Sequence, residues 1–193
     1  MTDPSLTVLT PRLLLRPFEE TDAPLIRAIS FDPETTRYLY FWGRPGMTPE
    51  EDARRFLAYA LDAWRRDPIV AREYCVCLRD TGEAIGDASV EAVDADTAEI
   101  GWILLPGRRG RGYATEAGRA VMELGFRLFG AKRVIAHCDE RNAASRRVME
   151  RLGMQLQSVA PGARPAKRPG ETPGNECTYI RDKNTLGEAV LSD

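Results

Sequence analysis

Histidine occurs once in this 193-residue chain, at position 137, and cysteine four times, at positions 75, 77, 138 and 177. No two cysteines stand as CxxC, and one histidine cannot complete a tetrahedral set, so no metal is expected. Cys75 and Cys77 would share one face of a strand, and Cys138 falls in an apolar run. They read as small buried hydrophobes. Reduced thiols fit a cytoplasmic setting. No apolar run approaches the roughly 18–20 residues of a membrane span. The opening Met1-Thr-Asp-Pro-Ser has neither a basic n-region nor a long apolar stretch, so no signal peptide and no membrane partner is expected. The net charge of -2 gives no global attraction to nucleic acid, and basic residues do not interleave with aromatics.

What is present is an ordinary globular composition, 43% hydrophobic and 29% charged. Length and composition suit a single domain over 1–193, with a core from about 9 to 181 and a frayed tail over 182–193. The most informative stretch is Glu99-Ile-Gly-Trp-Ile-Leu-Leu-Pro-Gly-Arg-Arg-Gly-Arg-Gly-Tyr-Ala-Thr-Glu116. An apolar strand stops at Pro106, a turn carries three glycines and three arginines, and a helical pattern starts near Tyr113. Helix N-termini present unbonded N–H groups and partial positive charge to anions. Gly110 and Gly112 let backbone approach a bulky anion, and Arg108, Arg109 and Arg111 add charge suited to phosphate. The turn reads as a pyrophosphate seat, or else as a basic surface turn with capping glycines. Its spacing fits neither GxxxxGK[ST] nor GxGxxG.

Around this stretch the chain reads as alternating short elements. Arg12–Arg16 between two prolines is an edge strand, and Thr21-Asp22-Ala23-Pro24 starts a helix running to about Ser30. Residues 31–47 form an aromatic loop, either core cover or one wall of an acceptor pocket. Thr48-Pro49-Glu50-Glu51 is a capping box that opens a helix to about Arg66. Strands over 73–79, 84–93 and 98–105 make an antiparallel meander, with a bulge at Gly86. A helix over 113–129 and an interior strand over 134–138 complete a βαβ unit, and ligands bind at the C-terminal ends of such strands. Asn142 caps a further helix to Leu152. The proline- and glycine-rich segment 161–174 reads as a flexible loop, and Glu176–Arg181 as a last strand. His137 reads as a packed strand histidine, and Glu116 as a complement to its helix dipole.

Four stretches carry a family resemblance. They are Thr10–Pro17 with Thr21-Asp22-Ala23, then Glu99–Pro106, then Arg109–Ala117, then Asn142-Ala-Ala-Ser145 with Val148-Met-Glu-Arg-Leu-Gly153. Within the third, Arg109-Gly-Arg-Gly-Tyr-Ala114 fits [RQ]-x-x-G-x-[GA]. In this order the chain resembles the RimJ/RimL-like branch of the GNAT acetyltransferases. Its 161–174 segment departs from that branch, which more often has a compact turn there.

The resemblance implies an α+β fold, a central mostly antiparallel twisted sheet with a splayed parallel βαβ unit flanked by helices. It implies acetyl transfer from acetyl-CoA, without a metal, to a primary amine attacking directly in a ternary complex. The acceptor would be a protein N-terminal amine or a small-molecule amine, and the enzyme a monomer or homodimer. Cofactor-binding positions implied are Ile103, Leu104, Arg109, Gly110, Arg111, Gly112, Tyr113, Ala114, Thr115 and Asn142. Ser145 matches a hydrogen-bond donor to the leaving thiolate. Glu99 is the candidate general base, with a solvated strand-end carboxylate as its plainer role. The other reading of the whole chain is a GNAT-fold module that binds coenzyme A as a regulatory ligand without transferring an acetyl group.

Overall fold

The computed structural model describes residues 7–39, 46–66, 68–166 and 170–186. In chain order its elements are β1 (Val8–Leu9), β2 (Leu13–Pro17), α1 (Ala23–Phe31), α2 (Pro33–Thr36), α3 (Pro49–Ala63), β3 (Ala71–Leu78), β4 (Ala84–Ala92) and β5 (Thr97–Leu104). There follow α4 (Tyr113–Leu128), β6 (Arg133–Asp139), α5 (Ala143–Arg151), β7 (Gln155–Arg164) and β8 (Gly174–Asp182). The strands form one sheet in the order β1-β2-β3-β4-β5-β6-β8-β7. Only β5 and β6 run parallel; the other neighbours are antiparallel. This is the mixed, mostly antiparallel sheet the sequence implies.

Strand alternation sends side chains to two helix-covered faces. On one face Val76, Val90, Ile100 and Val134 pack with Ala117, Val121 and Leu124 of α4. On the other, Cys75 and Cys77 pack with Ile26 and Ile29 of α1 and with Phe56 and Ala60 of α3. The thiols are free and buried, as expected. Gly125 lets α4 come close: a Cβ there would lie 3.1 Å from Val134 and 3.2 Å from Ala98.

Two local irregularities shape the ligand side. First, β3 and β4 shift register where Val76 pairs with Gly86 and Cys77 with Ala84, leaving Ile85 as the extra residue of a bulge. Gly86 is required beside it, because a Cβ would meet the Ile103 carbonyl oxygen at 2.1 Å. Second, β5 pairs with β6 only through Thr97↔Arg133, Ala98↔Val134 and Glu99↔Ile135. Beyond Glu99 the two strands part, and β5 runs on to Leu104 with an unpaired edge.

The helix starts differ in their chemistry. The Thr48–Glu51 capping box is present, with the Glu51 N–H donating to the Thr48 hydroxyl and the Thr48 N–H to the Glu51 carboxylate. At α1 the expected cap is absent: Asp22 makes no side-chain cap bond. It instead accepts both Arg16 guanidinium nitrogens at 2.7 Å and the Glu19 N–H at 2.8 Å, and is itself 5% exposed. A charge already held twice by Arg16 is better satisfied there than at the helix amides. Asp22→Ala leaves Arg16 half-buried and unpaired, so it should lower stability by about 2–4 kcal/mol in urea unfolding.

At the far edge, β7 continues through Arg164 and β8 begins at Gly174. Residues 161–164, read from composition as loop, are therefore strand, paired in part to β8. Residues 167–169 lie outside the described part, as do 40–45 of the aromatic loop. Among the described residues no helix is long and apolar enough to cross a membrane.

Candidate active site

The glycine-rich turn leads directly into α4. Gly110 and Gly112 take φ of 77° and 83°, the left-handed region that glycine enters without strain. The first intrahelical bond runs from the Glu116 N–H to the Gly112 carbonyl. The amides of Tyr113, Ala114 and Thr115 therefore precede any intrahelical partner and face outward. Thr115 adds a buried hydroxyl with no hydrogen-bond partner among the described residues. Unbonded amides, a Cβ-free backbone and an orphaned hydroxyl together fit a phosphate-bearing ligand.

The arginines of this turn are mostly committed elsewhere. Arg108 forks onto Glu83 in the β3–β4 turn. Arg109 donates to the Leu104 carbonyl at 3.0 Å and to the Thr35 hydroxyl of α2. Arg111 has an exposed side chain, and its carbonyl accepts from Arg12 at 2.9 Å. Glu116 binds the Thr10 hydroxyl, the Arg12 N–H and the Arg12 guanidinium at 2.6–2.8 Å. Burial opposes its charge, but these bonds outweigh burial and hold its pKa below the ordinary value. Rather than merely complementing the helix dipole, Glu116 ties the β1–β2 turn against the glycine loop.

Two cavities open along the parting of β5 and β6. The first, about 360 Å³, is lined by Leu104, Arg109, Gly110, Gly112, Tyr113, Ala114 and Thr115, with Arg147 and Arg151 of α5 opposite. Arg111 is not among its lining residues. The second, about 340 Å³, lies over the sheet face that carries Glu73, Asp87, Ser89, Glu91 and Glu99. Phe56 and Tyr59 of α3 also line it, as do His137 and Arg164. Tyr38, Leu39, Trp102, Ile103, Asn142 and Ser145 line both, so the cavities meet there. Asn142 caps α5 by accepting the Ser145 N–H at 3.1 Å, which fixes the turn that brings both residues to the junction.

Glu99, the third residue of β5, lines the second cavity with its side chain 34% exposed. Burial first, then repulsion from Glu91 and Glu176, pushes its pKa up to about 7. Glu91 stands directly opposite it on β4, an arrangement that costs energy when both are charged. His137, expected as a packed strand residue, lines the same cavity, with Nε2 3.8 Å from Glu99 and Nδ1 3.8 Å from Glu176. Nδ1 also lies 3.1 Å from the Thr178 hydroxyl. Burial keeps its pKa below the usual imidazole value, so the ring is neutral near pH 7.

Glu73 and Asp87, 7% and 3% exposed, were not picked out from the sequence. They stand on adjacent strands, and burial raises both carboxyls, Asp87 to about 6. The only sequence signal was charge inside otherwise apolar strands, Glu73 beside Tyr-Cys-Val-Cys and Asp87 beside Ala-Ser-Val. Alternation alone could not tell a solvent face from a lined cavity.

Comparison with known proteins places this arrangement. The family described as acetyltransferase (GNAT) domain matches residues 12–155. The chain belongs to the GNAT acetyltransferase family, and is an acyl-CoA-dependent acetyltransferase. It is 33% identical over 151 residues to the uncharacterized N-acetyltransferase YnaD of Bacillus subtilis, covering 78% of this chain and 83% of that one. A GNAT-family acetyltransferase from Bacillus anthracis superposes with a TM-score of 0.78 at 27% identity, over 92% of this chain and 99% of that chain. Mycobacterium smegmatis RimJ, solved with a CoA disulfide, shares the fold at a TM-score of 0.76 and 17% identity, over 91% and 84% of the two chains.

Proposed function

We propose that the protein transfers the acetyl group of acetyl-CoA to a primary amine by direct attack in a ternary complex. The observation that carries this reading is the meeting of two cavities at Trp102, Ile103, Asn142 and Ser145. One has the chemistry of a phosphate seat, and the other ends in a carboxylate whose pKa lies near neutrality.

In this reading the amides of Gly112 to Thr115 hold the pyrophosphate of acetyl-CoA, with Arg147 and Arg151 supplying the charge. The pantetheine arm follows the unpaired edge of β5. Leu104 turns its carbonyl to that edge, where Arg109 binds it. In an extended strand the N–H of a residue points to the same edge as its own carbonyl. The Leu104 N–H is thus the donor suited to polarising the thioester carbonyl as negative charge develops. The amine enters from the acidic cavity, and its proton passes to Glu99 through the solvent there. A base with pKa near 7 is poised for that transfer at neutral pH. Ser145 donates to the departing thiolate.

Thiol release from acetyl-CoA with a panel of amines tests the transfer directly. Tight coenzyme A binding with no thiol released from any amine would instead make the protein a coenzyme A-binding module. Ser145→Ala should lower kcat about 10-fold and leave coenzyme A affinity within about twofold, because the hydroxyl acts on a charge that forms only in the transition state. Equal losses in both would make Ser145 a packing or binding residue.

A further inference from the structure

We propose that the acceptor is a small linear amine carrying at least two cationic nitrogens, of diamine or triamine size, and not the N-terminus of a protein. The inference rests on the acetyl-transfer reading and names the substrate class of that same site.

The acceptor cavity carries four carboxyls on three adjacent strands: Glu73 of β3, Asp87 and Glu91 of β4, and Glu99 of β5. Among the described residues no lysine or arginine lies within ion-pair distance of any of them. Arg164, the one arginine or lysine among the described lining residues, is 2.8 Å from Glu176, a fifth carboxylate beside the cavity. His137 is neutral near pH 7. The Asp87 Oδ2 atom is buried with no hydrogen-bond partner, although its residue lines the cavity. A buried carboxylate oxygen left unbonded is costly unless a ligand donates to it. A fold that gathers these groups and leaves that oxygen open is built around a cation.

Register sets the spacing. Asp87 pairs with Ile103 at the cavity junction, and Glu91 pairs with Glu99 four residues along. At about 3.3 Å per residue the two acidic positions are about 13 Å apart along β4. Glu73, paired with Ser89, stands between them on β3. An extended polyamine can place its reacting nitrogen at the junction and another against Glu73 and Glu91, leaving Glu99 free to take the proton. A protein N-terminus brings a single ammonium, followed by neutral peptide groups that leave the remaining carboxyls unpaired. The cavity is also narrow, floored by the sheet and walled by Phe56 and Tyr59. Binding a second cation lowers the pKa of the facing carboxyls, so protons leave as the amine binds.

Three acceptors separate the alternatives in the thiol-release assay: spermidine, n-butylamine, and a short peptide with an N-terminal serine and no basic side chain. The expected kcat/KM for spermidine exceeds that for n-butylamine and for the peptide by at least about 30-fold, the order expected from a second buried charge contact. Glu91→Gln should raise the spermidine KM about 10-fold or more and shrink that preference over n-butylamine. Calorimetry of spermidine binding at pH 6.5, in two buffers of different ionisation enthalpy, should show net proton release, smaller in Glu91→Gln. Preference for the serine peptide, or equal use of n-butylamine and spermidine, overturns this inference and leaves acetyl transfer standing. Release of no thiol with any of the three, while coenzyme A still binds, overturns the transfer reading and this inference with it.

Discussion

Gly112→Asp is expected to abolish useful coenzyme A binding while the protein stays folded. Gly112 sits at the start of α4 with φ of 83°. A Cβ there meets nothing but an Arg12 guanidinium nitrogen at 3.3 Å, the end of a flexible side chain. The fold therefore loses only the modest cost of a non-glycine in the left-handed region, which aspartate tolerates better than most. The ligand side loses much more. A carboxylate would stand beside the amides of Tyr113, Ala114 and Thr115, competing for them and repelling phosphate. Affinity by calorimetry should fall about 100-fold, equivalent to about 2.7 kcal/mol. Gly112→Ala carries the same backbone strain without the charge, and should lose less than about 10-fold. Unchanged affinity in Gly112→Asp would remove the pyrophosphate from this turn.

The second large effect concerns Glu99. Its carboxyl must be ionised to accept a proton, and its pKa is about 7. Wild-type kcat should therefore rise with pH through about 7. Glu99→Gln should lower kcat about 100-fold at pH 8 and erase that limb of the profile, within the range usual for loss of a general base. The sign of the stability change is opposite. A carboxyl whose folded pKa is raised binds its proton more tightly folded than unfolded. Its contribution is present below the unfolded value of 4.5 and is lost as pH rises through about 7. Glu99→Gln should thus be at least as stable as wild type at pH 8 by thermal unfolding. An inactive variant that is also destabilised there would point to a structural role. If the variant keeps the wild-type pH profile, the base lies elsewhere, with Asp87 the next carboxyl to test.

The costs of this site are visible in its surroundings. Burial of Glu73, Asp87, Glu91 and Glu99 raises the pKa of each. Such groups oppose folding as they ionise. The sheet tolerates them because its other face is filled by apolar residues packed on α4, and because the α1–α3 layer seals the rest of the acidic face. Arg12, reaching from the β1–β2 turn, holds the glycine turn from behind through Glu116 and the Arg111 carbonyl. Binding and chemistry are therefore supported by different parts of the chain.

Most of the architecture was legible because it is written locally. The capping box at Thr48, the glycines at 110 and 112 and the apolar periodicity of α4 each act within a few residues, so the sequence states them openly. The unbonded amides at the start of α4 were legible for the same reason: they belong to one turn. Where local signals compete, reading failed. Asp22 looked like a helix cap and is instead the partner of Arg16. Composition made a loop of 161–164, whereas pairing with β8 draws those residues into β7. Nor could the sequence show that Arg108 is held by Glu83 and Arg109 by Thr35, residues remote from the turn in sequence.

By itself the sequence determined the family, the order of elements, the glycine turn that opens α4 and the Asn142–Ser145 helix start. Each depends on backbone geometry or hydrogen bonds spanning only a few positions. Tertiary structure alone decided what lines the second cavity. Glu73, Asp87, Glu91, Glu99 and His137 come from four strands, and only sheet register brings them to one wall. Register also makes their charge consequential: a carboxylate beside water is ordinary, while burial of these four in one cavity raises each above its usual range.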